Sequence, residues 1–495
     1  MSLEALEARV RLDLERIDHP SMAWLEPRPA PDGTPALDVL IVGGGQSGTA
    51  IGFGLKRAKV DNILVLDQAP RGQEGPWRTY ARMHTLRSPK DYTGPDLDIP
   101  SLTYRSWHEA RFGLESWAEL GLIPREHWAD YLLWIRDITG VPVCNDARVT
   151  HIAPATPGLL AVTIEETGRT RSLHCRKLVL ATGQDGAGRW WMPDNIAALP
   201  THLRAHAADD IDFSNLRGKI VAVLGAGASA LDNAATALEA GAAAVQLFCR
   251  RDRPQLVQPY RWLTFAGFLR HLSDLDDAWR WRFMSHILGL REGFPQPTWD
   301  RASRWPNFQL HTGAPWSHVH AAGNQVHAQT PQGPVTADFV IAGTGMDVDF
   351  AHRPELARFS ANIARWSDRY TPPEDLRNDR LARYPYLAPD FSLTERLPGA
   401  TPELADIHLF SIASTMSFGP SGSSINAMTT AVPKLVAGLT RGLFAADLDR
   451  HWASLAAYDV AQSVLSKPVP QPPAPTPRFN SSTSRAPSRE YTRSP

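Results

Sequence analysis

Cysteine is scarce: the 495 residues include only Cys144, Cys175 and Cys249, far apart and with no CxxC pair. That excludes a disulfide framework, a zinc ribbon and a dithiol redox pair, and it fits a reducing compartment. An excess of one charge sign is also missing, since 51 Lys and Arg stand against 52 Asp and Glu, a net of -1. Nothing in that balance suggests a footprint for nucleic acid or an anionic membrane. No uninterrupted apolar run approaches the roughly 20 residues needed to span a bilayer. The first residues lack the basic segment and apolar core of a secretory signal. A cytoplasmic protein with no membrane or nucleic-acid partner is expected. Hydrophobic residues make up 43% and charged residues 21%, an ordinary globular composition, and the length allows two or three domains.

What is present begins at Asp38. The apolar run Val39-Leu40-Ile41-Val42 breaks into a GxGxxG turn, Gly43, Gly45 and Gly48 with Gln46 and Ser47 between them, and a helical segment from Thr49 to Ala58 follows. A buried parallel strand turning sharply into a helix offers free backbone N–H groups and the positive end of the helix dipole. The first glycine allows the turn, the second lets a pyrophosphate approach, and the third lets helix pack on strand. A tight structural turn is the bland alternative. Context favours the dinucleotide: a second apolar run, Ile63 to Leu66, ends in Asp67, 24 residues after Gly43, with Gln68 next. A carboxylate there would hydrogen-bond a ribose diol.

The pattern recurs from Lys219. The strand Ile220 to Leu224 leads into Gly225-Ala226-Gly227-Ala228-Ser229-Ala230, with alanine in the third glycine's place, then an alanine-rich helix from Leu231 to Ala240 and the strand Val245 to Phe248. Twenty-four residues after Gly225 comes Cys249, followed by Arg250, Arg251 and Arg253. Arginines in the register of Asp67 favour a 2′-phosphate over a free ribose hydroxyl, and the bland alternative is a solvated basic turn. Each unit ends in a buried strand that runs into glycine: Leu178 to Ala181 before Thr182 and Gly183, and Phe339 to Ala342 before Thr344 and Gly345. The expected fold is α/β, with two Rossmann-like dinucleotide-binding domains, one for FAD and one for NADPH, the second inserted in the first.

The remaining segments fill in around those units. Residues 1–37 carry a helix with Leu3, Leu6, Val10, Leu14 and Ile17 on one face, an arm to pack on the flavin domain or on a second subunit of a homodimer. The FAD domain is expected over 38–200 and again over 346–466, and the NADPH domain over 201–345. The loop Gly72 to Trp77, the stretch Arg82 to Lys90 and a β-rich region from Ala147 to Gly183 lie in the first part; Trp77, Ser88 and Val149 join the cofactor-binding candidates. A helix is expected over 124–138. Residues 255–316 hold six tryptophans, the core of a helical insertion or the wall of a substrate pocket. His318 and His320 have no acidic or cysteine cluster beside them, so no metal site is expected. The loop Gly419 to Ser424, with Ser423 and Ser424, feeds a helix from Ile425 towards Gly442 and could stabilise negative charge on a reduced flavin. The tail 467–495 has eight prolines and is expected to be disordered.

With both units in place, the chain resembles the class B flavoprotein monooxygenases. The resemblance covers roughly Asp38 to Gly442 and rests on GGGQSG from Gly43, Gly75-Pro76-Trp77, the ATG ending at Gly183, GAGASA from Gly225 and the Gly-Thr-Gly ending at Gly345. It implies reduction of FAD by NADPH, reaction with O2 to a flavin hydroperoxide, and transfer of one oxygen atom to a small organic substrate while NADP stays bound and keeps water out. Two departures matter. Where the Baeyer–Villiger fingerprint FxGxxxHxxxW belongs, PTHLRAHAADD from Pro200 keeps only the histidine, His206. Where animal-type amine oxygenases carry a TNxSK-like stretch, alignment on Lys90 puts Arg87 at the asparagine position. Arg87 is the catalytic candidate, for contact with the flavin peroxide, the retained NADP or an acidic substrate group; an ordinary salt bridge is the alternative. Oxygenation at nitrogen or sulfur is expected, N-hydroxylation first. The rivals are a Baeyer–Villiger enzyme with a degenerate fingerprint, an NADPH-dependent flavoprotein reductase, and a flavin-bound sensor.

Overall fold

The continuous apolar runs around Asp38 form parallel strands buried on both faces, which is why they read as runs and not as alternations. The computed structural model describes residues 1–184, 186, 188–422 and 424–464; Ser423 and the tail 467–495 lie outside the described residues. In the first sheet, Pro35–Val42 lies between Ile63–Leu66 and the long strand Arg169–Leu180, in parallel register Val42↔Leu66 and Val42↔Leu180. Val143–Cys144 extends one side and Ile407–Leu409 the other, both parallel. The outer half of Arg169–Leu180 turns back antiparallel onto Leu160–Glu166 through Thr167 and Gly168, both at positive φ, and Ala147–Pro154 completes this meander.

The second sheet is parallel throughout, in the order Phe308–His311, Ala244–Phe248, Ile220–Leu224, Phe339–Ala342, Arg204–His206. Its strands fall between Leu180 and Ile407, so the chain leaves the first sheet, builds the second and returns. A two-stranded antiparallel ribbon, Gly188–Trp190 against Met346–Val348, carries both crossings side by side. The fold is thus the α/β arrangement of two Rossmann-like units, the second inserted in the first. Met1–Ala446 is one compact unit. The chain from Asp447 forms another, whose described part holds the helix Leu448–Ala456.

Helix ends differ from the sequence expectation by a few residues. Gly45 takes the N-cap conformation, so the first helix is Gln46–Arg57 and starts earlier than Thr49. Gly422 is pressed against the Ser411 backbone, and the helix after it begins only at Met428, running to Ala446. The N-terminal helix Leu3–Arg16 buries Leu6 and Val10 in the core of its own chain, and Glu7 accepts from Trp134 Nε1 at 3.3 Å. The aromatic-rich segment divides between cores: Trp281 is fully buried beside Trp366, Trp299 and Trp305 pack under the second sheet, and Trp262 and Trp279 are exposed. His318 lies on Ser317–Ala322 in a separate three-stranded sheet, and no metal-binding cluster occurs among the described residues.

Candidate functional site

Two uncapped helix N-termini define the site. Gly43 has φ +107°, and a Cβ on it would lie 2.3 Å from Ala181 O; one on Gly48 would lie 1.8 Å from Gly43 O. Strand, turn and helix therefore close together only with glycine at both places. Gly45 N-caps Gln46–Arg57 without a side-chain bond, leaving the first-turn N–H groups to an anion. Beside it, a cleft is lined by Gly44, Gly45, Gly72, Glu74, Trp77 and Arg136, among others. Trp77 meets Trp128 edge-on at 6.3 Å, and Trp128 Nε1 donates to Gln46 Oε1 at 3.4 Å. Ser47 is half-buried in the first turn and Gln68 is exposed past the second strand.

Asp67 sits where its spacing puts it, but its oxygens face backbone. Gly44 N donates to Oδ2 at 2.7 Å and Ala69 N to Oδ1 at 2.8 Å. Burial pushes its carboxyl above the usual range, against the pull of those donors. Ala147 N donates to Asp67 O, which brings the start of the Val149 strand alongside; Val149 itself pairs with Ile164. Sequence reasoning missed the neighbouring Glu74–Arg136–Asn145 network, in which Arg136 Nη1 meets Glu74 at 2.7 Å with both side chains buried. Its one legible signal is an arginine on the otherwise apolar face of the helix Arg125–Thr139.

The second turn repeats the first with one exchange. Gly225 has φ +113°, and its Cβ would lie 2.3 Å from Gly343 O. Ala230 is tolerated because Gly343 gives way instead: a Cβ on Gly343 would lie 2.5 Å from the Ala230 methyl. Gly227 N-caps Ala228–Glu239 without a side-chain bond, and Gly227 and Ser229 are exposed. The two arginines after the strand part company. Arg251 donates to Gly289 O and Leu290 O, both at 3.2 Å, and so closes the end of the helix Asp277–Leu290. Arg250, Arg291 and Arg380 have no carboxylate partner among the described residues. Partial burial and the neighbouring Arg380, Arg251 and Arg250 charges pull the Arg291 guanidinium down to about 10, the sign of a cationic cluster short of an anion.

Between the units, Thr182 Oγ1 donates to Gly186 O, Gly183 O accepts from Ile412 N, and Thr344 Oγ1 donates to Trp191 O. His206 closes the ribbon: Ala208 N donates to its Nδ1 at 3.1 Å, so Nε2 carries the proton towards Gly345 O at 3.0 Å, and the ring stacks on Trp190. Burial holds it below the usual histidine range. Arg87 Nη2 donates to the buried Asp232 at 2.9 Å, while its Nε is buried without a partner. Arg301 joins Asp232 at 3.5 Å and Glu239 at 2.7 Å, and its Nη1 donates to Arg82 O at 2.8 Å, which with Arg87 ties the loop of the first unit to the helix of the second. Ser88 is half-buried nearby. Lys90 is engaged elsewhere, donating to Trp117 O and Leu120 O at 2.7 Å each. On the returning loop, Ser424 donates to Asn426 at 2.5 Å. The helix Ala266–His271 lies against that loop, with Phe268 and Leu272 beside Gly419, so part of the aromatic insertion walls it.

Residues 40–185 match the FAD-NAD(P)-binding family. The chain is 39% identical over 472 residues to an FAD-dependent urate hydroxylase of Xanthomonas campestris pv. campestris, covering 95% of this chain and 99% of that one. Among solved structures, the ornithine hydroxylase of Pseudomonas aeruginosa in its reduced form superposes with a TM-score of 0.64 at 15% identity, over 82% of this chain and 100% of that one. The L-lysine 6-monooxygenase of Pseudomonas syringae does so at 0.63 and 19%, over 82% and 99%. Such low identities speak for the fold, whereas the urate hydroxylase speaks for descent. The chain belongs to the family of the FAD-dependent urate hydroxylase, shares the fold of flavin-dependent N-hydroxylases, and is a flavin-dependent oxidoreductase.

Proposed function

We propose that the protein is an FAD-dependent, NADPH-using monooxygenase that hydroxylates a flat, oxidised purine of the urate kind with O2. One observation carries the substrate class: identity of 39% to a urate hydroxylase across nearly the whole of both chains. In this reading FAD lies along Gly43, Gly45, Gln46, Ser47, Gly48, Asp67, Gln68, Trp77, Ser88, Val149, Thr182, Gly183 and Ser424, with Ser423 in the same loop outside the described residues. NADPH lies along Gly225, Gly227, Ser229 and Thr344, with its 2′-phosphate on Arg250; Arg251 acts from behind, by fixing the helix end. Open space beside Gly183, Gly227 and Gly345, where a Cβ would meet nothing within 4 Å, supports this path. The reading keeps the domain division 38–200, 201–345 and 346–466, the cytoplasm as location and a homodimer as the assembly.

Bound FAD, once reduced by NADPH, supplies the activation of O2. The chain's own residues bind, orient and exclude water. The uncapped N-termini at Gln46 and Ala228 neutralise the two diphosphates. Arg87, braced by Asp232, leaves its buried Nε–H for a reacting group. The test is purified holoenzyme with NADPH, O2 and urate, following urate loss against NADPH consumed. One urate hydroxylated per NADPH supports the reading. NADPH oxidation that responds to aliphatic diamines and yields hydroxylamines, but ignores urate, would replace it with the N-hydroxylation first expected.

A further inference from the structure

The carboxylate that lines the first cleft is not the one its spacing picks out. Asp67 directs one oxygen to Gly44 N and the other to Ala69 N. Glu74 lines the cleft with Gly44 and Gly45, although its side chain is only 7% exposed. Three donors hold it: Arg136 Nη1 at 2.7 Å and Asn145 Nδ2 at 2.6 Å on Oε1, and Gly72 N at 2.7 Å on Oε2. Arg136 is itself fixed by Asn145 Oδ1 at 3.0 Å and Val143 O at 3.4 Å. A carboxylate has about four acceptor positions, so one remains on Oε2 of Glu74; Asp67 keeps one on each oxygen, but Glu74 lines the cleft and Asp67 does not. A buried ion pair is a poor source of stability by itself. This one stands on the wall of a cleft that also offers an uncapped helix N-terminus.

We propose that Glu74, held by Arg136, accepts an adenosine ribose hydroxyl of FAD, and that Asp67 serves the cofactor indirectly by bracing the glycine turn. The proposal rests on the flavin reading of the first glycine turn. A hydrogen bond from a hydroxyl to a buried carboxylate changes affinity by about tenfold or more.

The test uses the full-length protein freed of flavin, titrated with FAD by flavin fluorescence, with ADP and 2′,3′-dideoxy-ADP as competitors. Wild type is expected to favour ADP over the dideoxy form by about tenfold. Glu74→Gln should bring that ratio close to one, whereas Asp67→Asn should weaken both nucleotides and keep the ratio. If Glu74→Gln does not fold, Glu74→Gln with Arg136→Gln removes both charges together and reads the same ratio. A ratio retained in Glu74→Gln, or lost in Asp67→Asn, overturns the proposal, as does a wild-type ratio near one with FAD tightly bound. Wild type that binds neither FAD nor ADP overturns the flavin reading, and the proposal with it.

Discussion

Single residues set the tightest conditions at the two turns. Gly48→Ala would put a methyl 1.8 Å from Gly43 O, so the turn must open. We expect protein purified without flavin absorbance and a stability loss of about 2–3 kcal/mol. Ala230→Gly, at the equivalent place in the second unit, should cost about 1–2 kcal/mol, the helix penalty plus one buried methyl, and should leave the turn closed. His408 is fully buried, with Nδ1 2.8 Å from Asp390 O and Nε2 without a partner. Burial drives it down to about 4, against the nearby Asp390. The unfolded imidazole takes a proton near pH 6.5, earlier than the folded one. Its contribution is therefore fully present above about pH 6.5 and is lost as pH falls towards 4, about 3 kcal/mol in all. Urea midpoints from about pH 7 to about pH 4.5 should fall steeply in wild type and less steeply in His408→Gln.

At the scale of elements, the ion pairs between the two sheets matter most. Arg87 reaches from the loop before Lys90 to Asp232 on the helix Ala228–Glu239, and Arg301, bound to Asp232, completes the tie by donating to Arg82 O. Burial opposes ionisation of Glu239, but the Arg301 guanidinium outweighs it and holds the carboxyl below the usual range. Arg87→Met should lower stability by about 1–2 kcal/mol, less than a fully buried pair because Arg87 is one-third exposed. Its larger effect should fall on coupling, with more hydrogen peroxide released per NADPH than in wild type. Equal coupling would leave Arg87 as a strut alone. The N-terminal helix gives a second check. Leu6 is 1% exposed in the core of its own chain, so Leu6→Ala should cost about 2–4 kcal/mol by thermal or urea unfolding without changing the oligomeric state.

At the scale of the molecule, the two dinucleotide units must be told apart by charge. Arg250 stands at the end of Ala244–Phe248 with Arg291 and Arg380 from distant segments nearby. Arg250→Ser should lower kcat/KM for NADPH by about tenfold and leave NADH little changed. Arg251→Ala should instead lower Tm, because its guanidinium closes a helix end at Gly289 and Leu290. An unchanged NADPH preference in Arg250→Ser would return that turn to a solvated basic loop. What the sequence by itself determined is the frame: parallel strands buried on both faces leave continuous apolar runs, and the turns Gly43–Gly48 and Gly225–Ala230 are local signals that survive without their surroundings. Tertiary structure decided what depends on segments far apart in the chain. It turned Asp67 onto backbone and put Glu74 and Arg136, 62 residues apart, on the cleft wall. It sent Arg251 and Lys90 to carbonyls at helix ends and paired Arg87 with an aspartate 145 residues away. A local pattern fixes strand, turn and helix, but a long side chain takes its partner from whatever the fold brings within about 3 Å of it.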